Sequence, residues 1–465
     1  MPIRKLLVAN RGEIAVRVIR AARDLGIATV QVHSDADAEM LAVRIADEAV
    51  NIGPPQAAKS YLDTQAILKA AKDTRADAIH PGYGFLSENG SFATAVADAG
   101  LIFVGPSGDT INLMGDKAAA RVQAAKAGVP TVPGSDGVIS DMDEAARLAA
   151  EIGFPVMIKA AAGGGGRGIR IAENAEEFRK LAPQASSEAK AAFGDGGIYI
   201  EKVIEKARHI EVQILADGID AIHCWERECS LQRRRQKVWE EAPSTALDPD
   251  TREKLCTSAA DLARSVGYKG AGTVEYLFDD ATGDFYFIEM NTRIQVEHPV
   301  TEMITGLDLV GEMIRIAAGE PLRFTQADIA ARGHSIEVRL NAEDPANNFM
   351  PFPGMISGLD IPTGPGVRFD HMLYHGYGVP PFYDSLLGKL IVHGENREAA
   401  LTRLGRALAE LRIDGLTTTA ALFEALLTAD DVRSNMVHTK WLEPWLEANT
   451  DTIAKLQLTE GDTAA

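Results

Sequence analysis

The chain has 465 residues, of which 46% are apolar and 24% charged, and its formal net charge is −19. At about 150 residues per domain, this length predicts about three domains, each with its own hydrophobic core. The acidic balance argues against nucleic acid or a membrane surface as a partner, because both attract basic faces. A site for an anionic ligand would have to be built locally from a few cations.

Neither a targeting segment nor a cysteine framework is visible in the sequence. The first apolar run, residues 6–9, is too short for a secretory signal or a membrane-spanning helix, which predicts a cytoplasmic protein. Cys224, Cys229 and Cys256 are odd in number and lack C-x-x-C spacing. This pattern favours buried, inert thiols over a disulfide framework or a zinc ribbon.

Residues 1–113 alternate short β-rich runs with Ala-rich helical stretches. Strands are predicted near residues 5–9, 28–32, 78–80 and 102–104, and a helix near residues 13–25. This alternation is typical of a parallel sheet with crossover helices. Residues 10–13 and 81–89 follow strands of that sheet, where open α/β sheets often bind ligands, although a purely structural turn is an equally good interpretation.

A second unit is predicted over residues 114–330, with a subdomain that would close as a lid over about 132–203. Inside it, a β-rich run containing Lys159 leads into the glycine run 163–168, and another β-rich run follows. Because a strand and not a helix comes next, the glycines do not fit a dinucleotide-binding fold, and the P-loop pattern is absent. Glycines between strands can instead fold over polyphosphate, with Lys159 and Lys117 as neutralising cations; a floppy surface hairpin is the alternative.

Residues 272–291 are typical of a β-hairpin whose polar turn is centred on Thr282. In this register Glu275 and Glu289 face each other across adjacent strands, and Asn291 shares their face by the strand period of two. Two facing carboxylates repel, so a bound dication is the natural partner, and hard oxygen ligands favour Mg²⁺ held together with substrate phosphates. Two solvated acids on an open face are the alternative.

A dense polar stripe is predicted directly after this hairpin. If the chain stays extended, Arg293, Gln295 and Glu297 lie on the same face as Asn291. An acid beside an arginine can act as a general base while the cation holds a small anionic substrate, although a purely structural Arg–Glu pair fits the same pattern. The basic run 232–237 is a further candidate anion site, or else a solvated edge.

The third unit is predicted over residues 331–446, with Pro/Gly-rich turns at 351–365 and 376–381 and a helical period over 397–411. Residues 447–465 are mostly small and polar, and we expect a loosely ordered tail there. The sequence shows no internal repeat.

Five segments together resemble the biotin carboxylase family, and the resemblance extends from Arg4 to about Leu442. The segments are residues 9–15, 80–89, 232–237, 287–299 and 341–345. The resemblance implies an α/β and α+β architecture with an ATP-grasp fold, in which a Rossmann-like N-terminal domain with a parallel sheet is followed by a mobile glycine-loop lid and an α+β C-terminal domain. It also implies a homodimer.

The resemblance also implies roles for individual residues. Contacts to ATP are implied for Lys117, Lys159, Glu201, Lys202, Ile204, His209, Gln232, Arg235 and Leu277, beneath a loop that includes Gly164, Gly165 and Gly166. The implied magnesium ligands are Glu275, Glu289 and Asn291. The implied bicarbonate site consists of Lys237, Arg293, Gln295 and Val296, with Glu297 as the base, Arg339 stabilising the biotin enolate and Tyr83 near the biotin pocket.

The implied reaction is the carboxylation of biotin, in the first half-reaction of an acetyl-CoA or related acyl-CoA carboxylase of fatty acid biosynthesis. Bicarbonate attacks the γ-phosphoryl group of ATP, which is held with Mg²⁺ or alternatively Mn²⁺. The released phosphate then removes the ureido proton of biotin, and the carboxyl group is transferred. Since no Met-Lys-Met biotinylation motif is present, biotin is expected on a separate biotin carboxyl carrier protein or domain, with carboxyltransferase subunits as further partners.

One position departs from the family pattern, because Arg235 stands where the family commonly has histidine. Three alternatives to the main interpretation remain: another ATP-grasp ligase that makes an acyl phosphate for an amine, a carboxylase subunit whose acceptor is not an acyl-CoA, and a catalytically weak subunit that only binds nucleotide and carrier. The long match from Asn291 to Pro299 argues against the first, and the complete set of candidate catalytic residues argues against the last.

Overall fold

The N-terminal part of the protein is a parallel sheet with helices. The computed structural model describes residues 2–135, 137–160, 169–193 and 196–462. Its first elements are β1 (Lys5–Val8), α1 (Gly12–Asp24), β2 (Ala28–His33), α2 (Leu41–Ile45), β3 (Glu48–Asn51), α3 (Thr64–Thr74), β4 (Ala78–His80), α4 (Gly90–Asp98), β5 (Ile102–Phe103) and α5 (Gly108–Gly115). The strand order is β3-β2-β1-β4-β5 with every pair parallel, which confirms the predicted α/β arrangement.

The strand order reverses at β1, and this brings together the loops that follow β1 and β4. Residues 6–8 are fully buried, as expected for the central strand of a parallel sheet. The Asn10 side chain donates to the carbonyl oxygens of Pro81 (2.6 Å) and Tyr83 (2.7 Å). The two loops therefore bind each other, which supports the structural interpretation of residues 10–13.

The central part combines a small sheet with a much larger one. Its elements are α6 (Lys117–Lys126), α7 (Met142–Ile152), β6 (Val156–Ala160), β7 (Ile169–Ala172), α8 (Ala175–Phe193), β8 (Ile198–Lys202), β9 (Ala207–Asp217), β10 (Ala221–Arg233), β11 (Gln236–Ala242), α9 (Pro249–Ser265), β12 (Lys269–Asp279), β13 (Phe285–Asn291), α10 (His298–Thr305) and α11 (Leu309–Ala317). Strands β7, β6 and β8 form an antiparallel sheet, which agrees with the strands predicted on both sides of the glycine run. Gly164, Gly165 and Gly166 lie outside the described residues.

The C-terminal part extends the larger sheet. Its elements are β14 (His334–Asn341), β15 (Glu343–Asp344), β16 (Met350–Pro351), β17 (Gly358–Asp360), β18 (Val367–His371), β19 (Leu386–Gly394), α12 (Arg397–Glu410), β20 (Arg412–Asp414), α13 (Ala420–Leu427), α14 (Asp430–Arg433) and α15 (Leu442–Asp462). Eight strands follow the order β13-β12-β9-β10-β11-β14-β19-β18, and neighbouring strands are antiparallel. Because β11 pairs with β14, one continuous sheet crosses the boundary that the sequence predicts near residue 331.

One main hydrophobic core connects the three parts. Ile19 of α1, Trp239 of β11 and Leu404 of α12 belong to it and are at most 1% exposed. Burial of a side chain such as Leu404 stabilises the fold by roughly 1.5–3 kcal/mol. The three cysteines are buried and unpaired, as predicted. No helix among the described residues is long and apolar enough to cross a membrane.

The chain ends in a long helix where the sequence predicts a loosely ordered tail. Helix α15 extends to Asp462, so this prediction is wrong for residues 447–462. The Trp441 and Trp445 rings stack with their centroids 5.6 Å apart, and Ile453 is fully buried in the main core. Leu442, Trp445, Leu446, Ile453 and Leu456 follow the helical period and pack in or against the core. The pattern is interrupted over residues 447–452, whose only apolar member is an alanine.

Candidate active site

A cavity of about 1820 Å³ is lined by residues of all three parts of the chain. It brings together most of the side chains that the sequence singles out: Tyr83, Lys117, Lys159, His209, Gln232, Arg235, Lys237, Glu275, Leu277, Glu289, Asn291, Arg293, Gln295, Val296, Glu297 and Arg339. They meet because the large sheet places β9, β12 and β13 side by side and joins β11 to β14. Pockets for one small molecule usually measure roughly 300–1,000 Å³, so this cavity has room for more than one ligand.

Three of the predicted ATP contacts do not line the cavity: Glu201, Lys202 and Ile204. Glu201 reaches it indirectly, because its carboxylate accepts a hydrogen bond from the ammonium of Lys159, which does line the cavity. Lys202 instead donates to the carbonyl oxygens of residues 153 and 154, both at 2.9 Å. The end of β8 therefore lies beside the cavity, where Glu201 holds the cavity-lining Lys159 and Lys202 binds the backbone at residues 153 and 154.

Two acids are register partners on β12 and β13, as the sequence predicts. The register pairs Glu275 with Glu289. Glu289 is partly exposed with the Lys117 ammonium 3.7 Å away, whereas Glu275 is buried and accepts a hydrogen bond from Asn291 Nδ2 at 2.9 Å. Two carboxylates and an amide oxygen are hard ligands, and they fit Mg²⁺ that is shared with phosphate oxygens.

The charge of Glu275 is balanced inside the protein, which the sequence does not reveal. Its Oε1 atom accepts from Lys237 Nζ (2.9 Å) and Gln295 Nε2 (2.8 Å), and its Oε2 atom lies 3.1 Å from His209 Nε2. Burial disfavours the charged form, but Lys237 and then His209 outweigh it and hold the pKa of Glu275 well below its ordinary value. Glu275 is therefore ionised and can bind a cation without first losing a proton.

The ammonium group of Lys237 lies among three carboxylates. Its Nζ atom donates to Glu211 (2.5 Å), Glu275 (2.9 Å) and Glu297 (2.6 Å). Burial works against the cation, but the three acids raise the pKa of Lys237 well above its ordinary value, so Lys237 stays charged. Glu211 is fully buried and also accepts from Arg227 Nε at 2.7 Å. The cluster of acids here is thus neutralised by the chain's own cations.

Glu297 lies between two cations at the start of α10. Besides the bond from Lys237, its carboxylate accepts one from Arg339 Nη2 at 2.9 Å. Burial opposes the charged form, but Lys237 and Arg339 outweigh it and hold the pKa of Glu297 well below its ordinary value. Arg339 is held in turn by Glu240, whose Oε1 atom accepts from Arg339 Nε at 2.6 Å. A buried, ionised carboxylate in such a position can take a proton from a small anion that binds beside it.

The polar residues after β13 meet in the cavity, but not on an extended strand. β13 ends, and residues 292–297 form an irregular turn that leads into α10. The prediction of a stripe on one extended face is therefore wrong, because the chain has to leave the sheet to begin the helix. Arg293 donates to Glu88 Oε2 at 2.9 Å, and the arginine that contacts Glu297 is Arg339, which comes from β14.

The basic run 232–237 contains the tight turn between β10 and β11. Arg234 and Arg235 occupy its two central positions with φ of +48° and +66°, a left-handed conformation that is uncommon for residues other than glycine. Arg233 stacks over the Phe349 ring at 3.8 Å, whereas Arg235 is exposed and lines the cavity. The run is therefore part of the site and not a remote solvated edge.

Sequence reasoning missed the acids that support these cations. Glu211 on β9 and Glu240 on β11 are fully buried and carry the hydrogen bonds described above. Along β9, His209, Glu211 and Gln213 share one face by the strand period of two. This polar alternation was the available signal for Glu211, whereas Glu240 has no such pattern around it.

Family models match three consecutive parts of the chain. Residues 2–111 match the N-terminal domain of biotin carboxylase, residues 116–325 the ATP-binding domain of the carbamoyl-phosphate synthase L chain, and residues 337–444 the C-terminal domain of biotin carboxylase. A biotin carboxylase from Nostoc sp. is 55% identical over 95% of this chain and 99% of its own length.

Solved structures are similar over nearly the whole chain as well. A biotin carboxylase from Campylobacter jejuni, in a β,γ-ATP complex, is 46% identical with a TM-score of 0.85 and covers 95% of this chain and 98% of its own. The biotin carboxylase domain dimer of Hydrogenobacter thermophilus 2-oxoglutarate carboxylase, in complex with MgADP, ADP and bicarbonate, is 47% identical with a TM-score of 0.84 and covers 97% and 99%. With family models over all three parts and relatives this similar over their full length, the chain belongs to the biotin carboxylase family.

Proposed function

We propose that this chain carboxylates biotin with bicarbonate and MgATP, in the first half-reaction of a biotin-dependent carboxylase. The observation that carries the proposal is the position of Glu297, an ionised, buried carboxylate between Lys237 and Arg339, in the cavity that also holds the paired acids Glu275 and Glu289. A base next to two cations suits a small anion, and the acid pair suits a metal–nucleotide complex. The ligands of the H. thermophilus domain support the same substrates.

The nucleotide phosphates need cations, and Lys117 and Lys159 are available for them. The Lys117 side chain is 85% exposed and that of Lys159 34% exposed, so neither is locked in a buried pair and both can turn towards phosphate oxygens at little cost. Mg²⁺, held by Glu275, Glu289 and Asn291, would neutralise negative charge on the phosphates during transfer.

Bicarbonate is proposed to bind beside Glu297, with Lys237 and Arg293 as cations. As a bicarbonate oxygen attacks the γ-phosphorus and the bond from this phosphorus to the β,γ-bridging oxygen breaks, Glu297 takes the bicarbonate proton; the products are carboxyphosphate and ADP. Protonation removes the charge of Glu297, so Lys237 and Arg339 become free to hold the more highly charged product. Before an anion is bound, the same two cations keep Glu297 from taking a proton from water.

The carboxyl group then moves to biotin, for which Arg339 and Tyr83 line the cavity. The bond between the carboxyl carbon and the phosphate oxygen of carboxyphosphate would break to give CO₂ and phosphate. The phosphate would take the ureido proton, the deprotonated ureido nitrogen would bond the carbon of CO₂, and the Arg339 guanidinium would stabilise the enolate oxygen that forms meanwhile. Burial opposes the charge of Arg339, but Glu240 and Glu297 outweigh it and raise its pKa, so Arg339 remains a cation throughout.

The partners proposed for this chain follow from the same chemistry. Biotin arrives on a carrier protein or domain and carries its carboxyl group to a carboxyltransferase. The final acceptor is an acyl-CoA or, as the name of the similar H. thermophilus enzyme indicates for that protein, a 2-oxo acid. A homodimer is proposed by similarity to the dimer of that domain.

The release of ADP from MgATP, measured with and without bicarbonate and free biotin, tests the proposed function. We expect ADP release to require bicarbonate and to rise with biotin, and labelled bicarbonate to appear in acid-labile carboxybiotin. Hydrolysis that ignores both additions would contradict the proposal. Turnover that requires an amine would instead indicate another ATP-grasp ligase, and nucleotide binding without turnover would indicate a binding subunit.

A further inference from the structure

A buried lysine connects the three parts of the protein behind the wall of the cavity. Lys389 on β19 is fully buried and does not line the cavity. Its ammonium donates to the carbonyl oxygen of Val296 at 2.7 Å and lies 3.2 Å from Glu13 Oε1. Glu13 belongs to α1, Val296 to the turn before α10, and Lys389 to the C-terminal part. One ammonium group thus contacts the other two parts of the chain.

Both contacts of Lys389 lead to side chains of the cavity. Glu13 also accepts a hydrogen bond from the hydroxyl of Tyr83, and Tyr83 lines the cavity. Val296 lines the cavity itself and directly precedes Glu297. Burial raises the pKa of Glu13, and Lys389 is the main group that opposes this rise. The charge of Glu13 therefore depends on Lys389.

The turn that carries Glu297 is held by two of its carbonyl groups. His298 Nδ1 bonds the carbonyl oxygen of Gln295 at 2.7 Å. Burial and the nearby Lys389 hold the pKa of His298 well below its ordinary value, so the ring is neutral and its proton is on Nδ1. Lys389 holds the next carbonyl, that of Val296, through a charge-assisted bond, which is about twice as strong as a neutral one.

The position of Lys389 is costly for a purely structural residue. The register of β14 and β19 pairs it with the half-buried Arg339, so two cations are neighbours on adjacent strands. Asp370 lies close enough to offset part of this charge, whereas burial raises the pKa of Glu337 well above its ordinary value and favours its neutral form. An apolar side chain would fill the same space without these demands. The carbonyl and the carboxylate that Lys389 holds explain why an ammonium is placed here.

We propose that Lys389 is a positioning residue for bicarbonate activation. By holding the carbonyl group of Val296, it fixes the position of the Glu297 carboxylate relative to bound bicarbonate. Through its contact with Glu13, which accepts a hydrogen bond from Tyr83, it also links this turn to the side of the cavity proposed for biotin. The proposal rests on the proposed function of the chain. It adds a residue that touches no substrate and acts only through its neighbours.

Steady-state kinetics of Lys389→Met test the proposal. We expect the KM for bicarbonate to rise at least about 10-fold, which corresponds to about 1.4 kcal/mol, while the KM for ATP stays within about 2-fold. Because this change leaves Glu13 buried without its partner and could unfold the chain, the variant Lys389→Met/Glu13→Gln removes both charges together. It still lacks the donor to Val296 and should show the same rise. Lys389→Arg keeps the charge and should recover most of the bicarbonate affinity.

Lys5 offers a matched control. It also joins a backbone carbonyl, that of Thr74 at 2.9 Å, to an acid, Glu48 at 2.5 Å, but it does not line or adjoin the cavity. Lys5→Met should leave the KM for bicarbonate within about 2-fold. Melting temperatures of all variants show whether each chain is folded.

The outcomes separate this proposal from the proposed function. A wild-type chain without bicarbonate-dependent ADP release would refute the function itself. If the wild type is active, the role of Lys389 is overturned by an unchanged bicarbonate KM in the folded variants, by equal losses in every kinetic parameter, or by full recovery in Lys389→Met/Glu13→Gln. That last result would mean that only the charge balance of the core mattered.

Discussion

Replacing Glu297 by glutamine tests the base most directly, because glutamine keeps the size of the side chain but cannot take the proton. General base catalysis contributes roughly 10²–10⁴-fold, so the kcat for bicarbonate-dependent ADP release should fall by this factor. The loss corresponds to about 3–5 kcal/mol in the activation barrier. The change also removes the anion between Lys237 and Arg339, so the KM for bicarbonate should not rise.

Binding of ATP should be nearly unaffected by Glu297→Gln, since Lys237 keeps its two other carboxylate partners and Arg339 keeps Glu240. Steady-state kinetics at varied bicarbonate, together with an equilibrium measurement of ATP binding, separate the two effects. Glu312→Gln is a matched control, because Glu312 is also buried and paired with an arginine but does not line the cavity. A Glu297→Gln enzyme that keeps more than about a tenth of the kcat would refute the assignment of the base.

Three other changes have defined outcomes. Glu289→Gln should raise the Mg²⁺ concentration for half-maximal activity by roughly 10-fold because a hard ligand loses its charge, and an unchanged requirement would contradict the metal site. Burial opposes the charge of Glu241, but His334 and Arg397 lower its pKa from 4.5 to about 2, so its contribution to stability is complete above pH 4.5 and is lost as the pH falls towards 2. Glu241→Gln should therefore lower the free energy of unfolding at pH 7 by about 3 kcal/mol and flatten its dependence on pH below 4.5, as measured by urea unfolding; an unchanged slope would argue against the ion pair. Deleting residues 447–465 should lower the melting temperature by roughly 5 °C or more, because the buried face of α15 is lost, whereas an unchanged value would mean that the helix adds no stability.

The pairing of Glu275 with Glu289 in the β12–β13 hairpin could be predicted, whereas the one-residue register shift between Glu275 and Tyr276 could not. A run of polar residues marks the turn, and the strand period of two then determines that Glu275 and Glu289 are partners. The parallel sheet of the N-terminal part could also be predicted, because an alternation of strands and helices is compatible with only a few strand arrangements. The hairpin prediction depends on residues 272–291 alone. The sheet prediction uses strands spread over residues 5–104, and it missed β3, because half of the residues in Glu48–Asn51 are polar and the strand is mostly exposed.

The ion pairs around Glu297 could not be predicted from local patterns. Arg339 reaches Glu297 only because β14 pairs with β11, and Lys389 reaches Val296 only because β19 then pairs with β14. Nothing in a short window of sequence encodes these neighbours. The stripe after Asn291 failed for a related reason: the strand period holds only while the chain stays in the sheet, and the start of α10 ends it.

An acidic chain can bind anions here because its cations are already paired with acids that a metal can take over. The ion pairs that line or adjoin the cavity include Lys117–Glu289, Lys159–Glu201, Lys237–Glu275, Lys237–Glu297 and Arg293–Glu88. A free anion that pairs with Lys237 would compete with the buried carboxylates of Glu275 and Glu297 and leave one of them without its cation, which costs energy. A metal–nucleotide complex would exchange partners instead, because its phosphates would pair with Lys117 while its metal takes Glu289, the acid that Lys117 releases. On the proposed function, the same exchange would serve bicarbonate, since Glu297 would lose its charge in the step in which Lys237 and Arg339 acquire a new anion.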